Sequence, residues 1–155
     1  MVPYDAPDAV ELVDALQREY LVRYGETDVT PVDPAEFAPP NGWFVVGYVD
    51  GEPVACGGWR ARGDDDAELK RMYVVNAARG RGFARAVLAE LERTARAAGR
   101  RRVVLESGLK QPEAVALYRS AGYADVAAFG HYRDDPLSVY LGKDLEDTSG
   151  DLRAR

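Results

Sequence analysis

The stretch ELKRMYVVNAARGRGFARAVLAELERTARAAG, residues 68–99, decides the fold. It begins as a β-rich run, turns through two glycines, and continues as an amphipathic helix that ends at Gly99. Glycines allow sharp turns, and the free N–H groups at a helix N-terminus attract anions. Three arginines, Arg79, Arg81 and Arg85, surround these glycines. The junction therefore predicts a phosphate-binding site, although arginines that only solvate a helix start would give the same pattern.

The segments before this stretch predict a helix followed by a β-meander. Apolar residues recur at three- and four-residue spacing after Asp8, the predicted N-cap, and the helix is expected to end near Gly25. A proline-rich loop, residues 27–41, follows. Two β-rich runs are then joined by Asp50-Gly51, a dipeptide typical of a tight hairpin turn. The stretch that decides the fold supplies the third strand.

The segments after it extend the sheet. Residues 102–107 are typical of a buried strand, Pro112 begins a further helix, and residues 138–143 alternate as a last strand. The order helix, β-meander, then β-α-β-α-β predicts an α/β fold with one mixed sheet and helices on both faces. We expect a single domain over residues 1–145, followed by a polar, flexible tail at residues 146–155.

Composition limits the classes of function. With 155 residues, 46% of them hydrophobic, the chain can bury one core. A formal net charge of −6 disfavours nucleic acid and anionic membranes as partners. No apolar stretch approaches bilayer length, and the N-terminus lacks a signal-peptide pattern, so we expect a cytoplasmic protein. Cys56 and His131, each the only residue of its type, do not form a metal cluster, so we expect no metal.

Two motifs give the chain a resemblance to a known family. The segment Arg79-Gly80-Arg81-Gly82-Phe83-Ala84 follows the pattern Arg or Gln, two residues, Gly, one residue, Gly or Ala, between a strand and a long helix. The second motif is PEAVALYRSAGY, residues 112–123, which follows at the expected place. Over roughly residues 8–143 the chain thus resembles the GNAT superfamily of N-acetyltransferases. The resemblance implies a GNAT-like fold in which a splayed strand pair holds acetyl-CoA.

The resemblance also implies the residues that bind acetyl-CoA. The core residues Leu69, Met72 and Val74 do not keep strict alternation, which indicates a β-bulge after Leu69, unless Met72 simply turns to the other face. Such a bulge would leave N–H groups free to grip pantetheine and to stabilise the oxyanion. The implied cofactor-binding residues are Met72, Tyr73, Val74, Arg79, Gly80, Arg81, Gly82, Phe83, Ala84 and Gln111.

Two residues are implied to be catalytic. Glu68 matches the position of a family glutamate that accepts the amine proton, and partial burial would raise its pKa toward the working range. Tyr118 matches the family tyrosine that protonates the leaving thiolate. The alternative for Glu68 is a solvated glutamate at a strand edge. The alternative for Tyr118 is a core aromatic on an amphipathic helix, which is compatible with the acid role because only its hydroxyl must reach the sulfur.

The predicted function is therefore acetyl-CoA-dependent transfer of an acetyl group to a primary amine by direct attack on the thioester. We expect a small-molecule acceptor rather than a protein, and a homodimer stays open. Asp64, Asp65, Asp66, Glu68, Asp134 and Asp135 are candidates for an acidic mouth that attracts a cationic amine. The alternatives are a catalytically silent domain that senses acyl-CoA, and a nucleic-acid module built on RGRGFAR, which the net charge disfavours.

Overall fold

A computed structural model describes residues 1–145 of the chain. This described part contains three α-helices and six strands, with the following bounds: α1 Pro7–Tyr24, β1 Gly42–Val49, β2 Glu52–Arg62, β3 Asp66–Val74, α2 Phe83–Ala97, β4 Arg102–Gly108, α3 Pro112–Ser120, β5 Ala124–Asp125 and β6 Ser138–Asp144. The strands form one sheet in the order β1-β2-β3-β4-β6-β5. The predicted tail, residues 146–155, lies outside the described residues, and the domain boundary at residue 145 stays a prediction.

Two apolar clusters cover the two faces of the sheet. Because neighbouring residues of a strand point to opposite faces, Phe44 and Val45 belong to different clusters. The larger cluster packs α2 and Tyr118 of α3 around Trp59, whose indole N–H donates to Thr94 Oγ1 at 2.9 Å. The smaller cluster packs α1 against the other face through Leu12. The predicted mixed sheet with helices on both faces is confirmed.

The start of α1 differs from the predicted one. Ala6 is the N-cap, and Pro7 occupies the first turn of the helix. The fixed φ of proline suits the first turn, where a missing N–H breaks no intrahelical hydrogen bond. Asp8 therefore lies inside the helix, where its carboxylate accepts a hydrogen bond from Tyr48 OH at 2.6 Å. The helix ends as expected at Gly25, which has a φ of 76°.

β3 carries the predicted bulge. In its antiparallel pairing with β2, Cys56 faces Tyr73 and Gly58 faces Lys70, so one residue of β2 lies opposite two residues of β3. One of those two, Arg71, has a φ of 61°, in the left-handed region that non-glycine residues rarely adopt. The extra residue keeps Leu69 and Met72 on the same core face.

β3 and β4 separate after three residue pairs. Asp66–Glu68 of β3 pair in parallel with Arg102–Val104 of β4, and within residues 1–145 no further pair joins the two strands. β3 continues along β2, whereas β4 continues along β6. We call the gap between residues 69–74 of β3 and residues 105–108 of β4 the wedge. It is the splayed strand pair that the resemblance implied.

Candidate active site

The wedge opens into a cavity of about 950 Å³, a volume that includes the solvent at its open mouth. Residues 69–72 form one wall and residues 105–108 the other. The cavity is also lined by residues from both faces of the sheet, namely Tyr20, Tyr24, Asp28, Gln111, Tyr118 and Tyr132. Of the predicted site residues, the structure thus brings Met72, Gln111 and Tyr118 together.

Tyr118 lies in this cavity as a buried side chain with 6% exposure. Its ring packs edge-on against Tyr123 at 5.8 Å between centroids. Burial raises the pKa of Tyr118 above its ordinary value, so the phenol keeps its proton at neutral pH. This protonation state suits a group that donates a proton.

Glu106 is a cavity residue that the sequence prediction missed. It lies on β4, partly buried, and its Oε1 accepts a hydrogen bond from Ser138 Oγ at 2.7 Å. Burial raises the pKa of Glu106, whereas the Ser138 hydrogen bond and the charge of Lys70 act in the opposite direction. A carboxylate with a raised pKa inside a cavity can accept a proton from a substrate. The signal in the sequence was one acidic residue within the apolar run VVLES.

A buried ionic cluster forms another wall. Asp28 Oδ2 accepts from Lys70 Nζ at 3.3 Å and from Arg71 Nη1 in a shorter contact. Its Oδ1 accepts from Thr30 and from Tyr132 OH. Although burial alone would raise the pKa of Asp28, the two cations hold it well below its usual range. The cluster fixes the loop after α1 to the bulge of β3.

Two tyrosines of α1 complete the cavity. Burial raises the pKa of Tyr20, and the charges of Asp28 and Glu106 raise it further. Tyr24 OH lies directly against Gly108, where a Cβ would collide with it, and it donates to Gln111 Oε1 at 3.4 Å. The absence of a side chain at Gly108 therefore lets α1 approach β4 at the wedge.

The predicted phosphate site keeps free backbone donors. Gly80 and Gly82 have φ values of 78° and 85°, and α2 begins after Gly82 without a side-chain cap. The first N–H groups of α2 are therefore available to an anion. Arg79 donates to Glu19 at 2.7 Å, and Arg81 lies over the Phe83 ring at 5.1 Å. Arg79 is thus tied to α1 by an ion pair.

Glu68 lies elsewhere. It lines a separate, open recess with His131, and its Oε1 accepts from Arg60 Nε at 3.2 Å. Arg60 also contacts Glu36 and the carbonyl of Pro31, so this network ties the proline-rich loop to the sheet. The structure does not bring Glu68 into the cavity of Tyr118, and its role as the base stays a prediction.

The acidic residues proposed for a mouth do not gather. Asp65 pairs with Arg101, and Asp66 pairs with Arg102, at the closed end of the β3–β4 pair. Asp135 is the member of the set that lines the cavity, where its Oδ1 accepts from the backbone N–H of Leu137. The structure therefore does not assemble the acidic mouth from these segments.

Comparisons with known proteins agree with this geometry. The model of the acetyltransferase (GNAT) family matches residues 9–123. An IAA acetyltransferase from Azospirillum brasilense is 36% identical over 137 residues, which cover 88% of this chain and 90% of that protein. The chain belongs to the GNAT family and is an acetyltransferase of that family.

Further relatives extend the comparison. The N-acetylaspartate synthetase of Homo sapiens is 32% identical over 83% of this chain, which spans 43% of that longer protein. A solved structure of a candidate acyl-CoA N-acyltransferase from Klebsiella pneumoniae superimposes with a TM-score of 0.77, at 30% identity and 94% coverage of both chains. An aminoglycoside 6'-N-acetyltransferase solved with coenzyme A shares the fold, with a TM-score of 0.68 at 15% identity, over 94% of this chain and 96% of that one.

Within residues 1–145, none of the helices combines the length and apolar character needed to cross a membrane. The cytoplasmic location stays a prediction.

Proposed function

We propose that the chain is an acetyl-CoA-dependent N-acetyltransferase that acetylates a primary amine by direct attack on the thioester. The observation that carries this proposal is the wedge. One cavity there combines an unpaired edge of β3, a carboxylate with a raised pKa, Glu106, and a protonated buried phenol, Tyr118. These are a site for an acyl donor, a base and an acid.

The residues fit an acyl-CoA donor. On the β4 side, residues 69–74 of β3 have no strand partner in the described part of the chain, so backbone groups of Met72, Tyr73 and Val74 can bind the pantetheine arm and the thioester oxygen. The uncapped N-terminus of α2 can hold the pyrophosphate through Phe83 and Ala84. Gly80 and Gly82 leave open space above the loop, Gln111 faces the cavity, and Arg79 and Arg81 supply positive charge nearby. Two solved acetyltransferase structures that share this fold hold coenzyme A, which supports the proposal of an acyl-CoA donor.

We assign the base to Glu106, with Glu68 as the competing assignment. The amine must lose a proton to attack, because a protonated nitrogen has no lone pair. Glu106 takes this proton and releases it to solvent at the mouth of the cavity. The neutral nitrogen then forms a bond to the carbonyl carbon, the C–S bond breaks, and the second proton that the nitrogen loses passes to Glu106. Glu68 would need a relay from its own recess, where it already neutralises Arg60.

Tyr118 is assigned as the acid. Its hydroxyl donates a proton to the sulfur as the C–S bond breaks, and the raised pKa keeps that proton available at neutral pH. The resulting phenolate has little solvation in this buried position, which favours its reprotonation. The proton that Glu106 took from the attacking nitrogen returns to Tyr118 through solvent, so both groups are restored.

The acceptor in this proposal is a small molecule. The cavity is enclosed on several sides by α1, the loop after it, and the segment before β6. This shape favours a compact acceptor over a peptide segment. The names of two relatives, an IAA acetyltransferase and an N-acetylaspartate synthetase, support the same choice.

The test is thiol release from acetyl-CoA with a panel of amines, with the N-acetyl product identified by mass spectrometry. We expect release with at least one class of amine, and a loss of about 100-fold or more in Glu106→Gln and in Tyr118→Phe. Acetyl-CoA binding with no turnover on any amine would overturn the enzymatic proposal and favour an acyl-CoA sensor. Equal rates in the wild type and both variants would overturn the assigned roles.

A further inference from the structure

We propose that the acceptor carries a carboxylate as well as its amine, and that Lys70 and Arg71 bind this carboxylate. A free α-amino acid is the smallest acceptor of that kind. The inference rests on the proposed function, because it names the class of acceptor for the same cavity. It differs from the cationic acceptor that the acidic residues of the sequence suggested.

The first observation is a pair of buried cations beside the wedge. The side chains of Lys70 and Arg71 are only 9% and 4% exposed, and both line the cavity. Among the described residues they share a single bonded carboxylate, that of Asp28. The charge of Lys70 also acts on Glu106 across the wedge, but Glu106 bonds to Ser138 and, within residues 1–145, to neither cation. A carboxylate from a ligand would give the two cations a second bonded partner.

The second observation is that both carboxylate oxygens of Asp28 are already occupied by hydrogen bonds. Its Oδ1 accepts three hydrogen bonds, from Thr30 N at 2.9 Å, Thr30 Oγ1 at 2.7 Å and Tyr132 OH at 3.0 Å. Its Oδ2 receives both cations. Asp28 is thus fixed from all sides and cannot bind a substrate amine as well.

The third observation is a donor without an acceptor. Arg71 is buried, and its Nε has no hydrogen-bond partner within residues 1–145, although Asp28 and Tyr4 interact with the guanidinium. A buried donor without a partner is unfavourable, so an acceptor atom from a ligand would stabilise it. A carboxylate supplies two such atoms, and its shape suits a guanidinium.

The other carboxylates of the cavity complete the match. Glu106 lies across the wedge on β4, Glu26 lies in the loop after α1, and Asp135 lies in the segment before β6. The cavity therefore presents cations on β3 and carboxylates around them. An acceptor with an ammonium group and a carboxylate can satisfy both, whereas a polyamine would bring its charges against Lys70 and Arg71.

The experiment compares matched acceptors in the thiol-release assay with wild-type protein. One arm contains the twenty amino acids as a mixture, a second the corresponding amino acid amides, and a third simple amines and polyamines. The amides keep the side chains and the amine but replace the carboxylate with a neutral group. We expect release with the acids to exceed release with the amides by about 10-fold or more, the usual effect of a hydrogen bond to a charged group.

Each outcome decides between the two proposals. Release with the amides or simple amines that equals or exceeds release with the acids would overturn the carboxylate inference and leave the acetyltransferase proposal intact. No release in any arm would contradict the proposed function, and the inference with it.

A pair of variants tests the residues. In Lys70→Met we expect the preference for acids over amides to fall about 10-fold. The matched control is Lys143→Met, since Lys143 is also a strand lysine bonded to a carboxylate, Glu92, but lies outside the cavity lining. An unchanged preference in a folded Lys70→Met variant would overturn the role of Lys70. If that variant does not fold, the wild-type comparison still decides the inference.

Discussion

The two sides of the wedge are built in different ways. The side assigned to the acyl donor comes from one continuous stretch, residues 72–84, and uses mainly backbone groups. The side assigned to the acceptor comes from α1, the loop after it, the segment before β6, β4 and the bulge of β3, and it uses side chains such as Asp28, Lys70 and Glu106. A site made of backbone groups needs only a turn of fixed geometry. A site made of side chains changes its specificity with each single substitution. This difference suits a common donor and a variable acceptor.

The largest expected effect tests the acceptor side. Glu106→Gln should lower kcat by about 1000-fold, because the amide cannot accept the amine proton. In the wild type, burial raises the pKa of Glu106, so kcat/KM should fall as the pH drops through a value above the ordinary 4.5, where the base becomes protonated. The amide in the Glu106→Gln variant cannot titrate, so this acid limb should disappear. Steady-state kinetics across pH measures both effects.

The competing assignment provides the contrast for this experiment. Glu68→Gln should cost less than Glu106→Gln and should keep the acid limb, since Glu68 lies in a separate recess beside Arg60. A larger loss in Glu68→Gln, together with loss of the acid limb, would return the role of base to Glu68.

The next effect is on stability. Asp28→Asn should lower the free energy of unfolding by about 3 kcal/mol, because the buried side chains of Lys70 and Arg71 would lose the carboxylate that bonds to both. The pKa of Asp28 is lowered in the folded state, so its stabilisation is present above the unfolded pKa near 3.8 and is lost as the pH falls below it. Urea unfolding at several pH values measures this dependence, which Asp28→Asn should weaken.

An exposed ion pair serves as the control for that variant. Asp125→Asn removes the partner of Arg119, where the carboxylate is 73% exposed, and should change stability by less than about 1 kcal/mol. If Asp28→Asn and Asp125→Asn lowered the free energy of unfolding equally, the buried cluster would not be what stabilises the acceptor side.

Tyr118→Phe should lower kcat by about 100-fold and leave the Kd for coenzyme A within about twofold. The variant removes the proton donor but keeps the ring that packs in the core. Tyr123→Phe is the matched control, since Tyr123 is the neighbouring buried tyrosine and its hydroxyl bonds to Glu92 rather than facing the cavity. Similar losses of kcat in the two variants would indicate a packing role for Tyr118.

The smallest effect tests the donor side. Gly82→Val should raise the Kd for coenzyme A about 10-fold, because a β-branched residue does not adopt a φ of 85° without strain and the loop before α2 would shift. Gly63→Val carries a comparable strain, at a φ of 61°, in the turn between β2 and β3. Calorimetric titration should detect weaker binding in Gly82→Val alone. Equal binding in both variants would contradict the role of the glycine loop.

The same difference explains what the sequence could predict. The hairpin, the bulge and the glycine loop depend on local patterns, so the fold was predictable from residues close together in the chain. The same local patterns supply the residues proposed for the donor side, whose role stays a prediction. The acceptor side depends on contacts between residues far apart. Asp28 meets Arg71, and Ser138 meets Glu106, only because the strands and loops fold together. Asp8 shows the limit of local patterns. It was the predicted N-cap of α1, but the helix begins at Pro7 and its N-cap is Ala6.

A crystal structure of the chain with coenzyme A tests the central claim most directly. We expect the pantetheine arm in the wedge, between residues 69–74 and residues 105–108, with the pyrophosphate on the N–H groups of Phe83 and Ala84. The sulfur should then lie beside the hydroxyl of Tyr118, and the space for the amine should lie between the sulfur and Glu106. Coenzyme A bound outside the wedge, or a wedge closed by pairing of β3 with β4, would contradict the account.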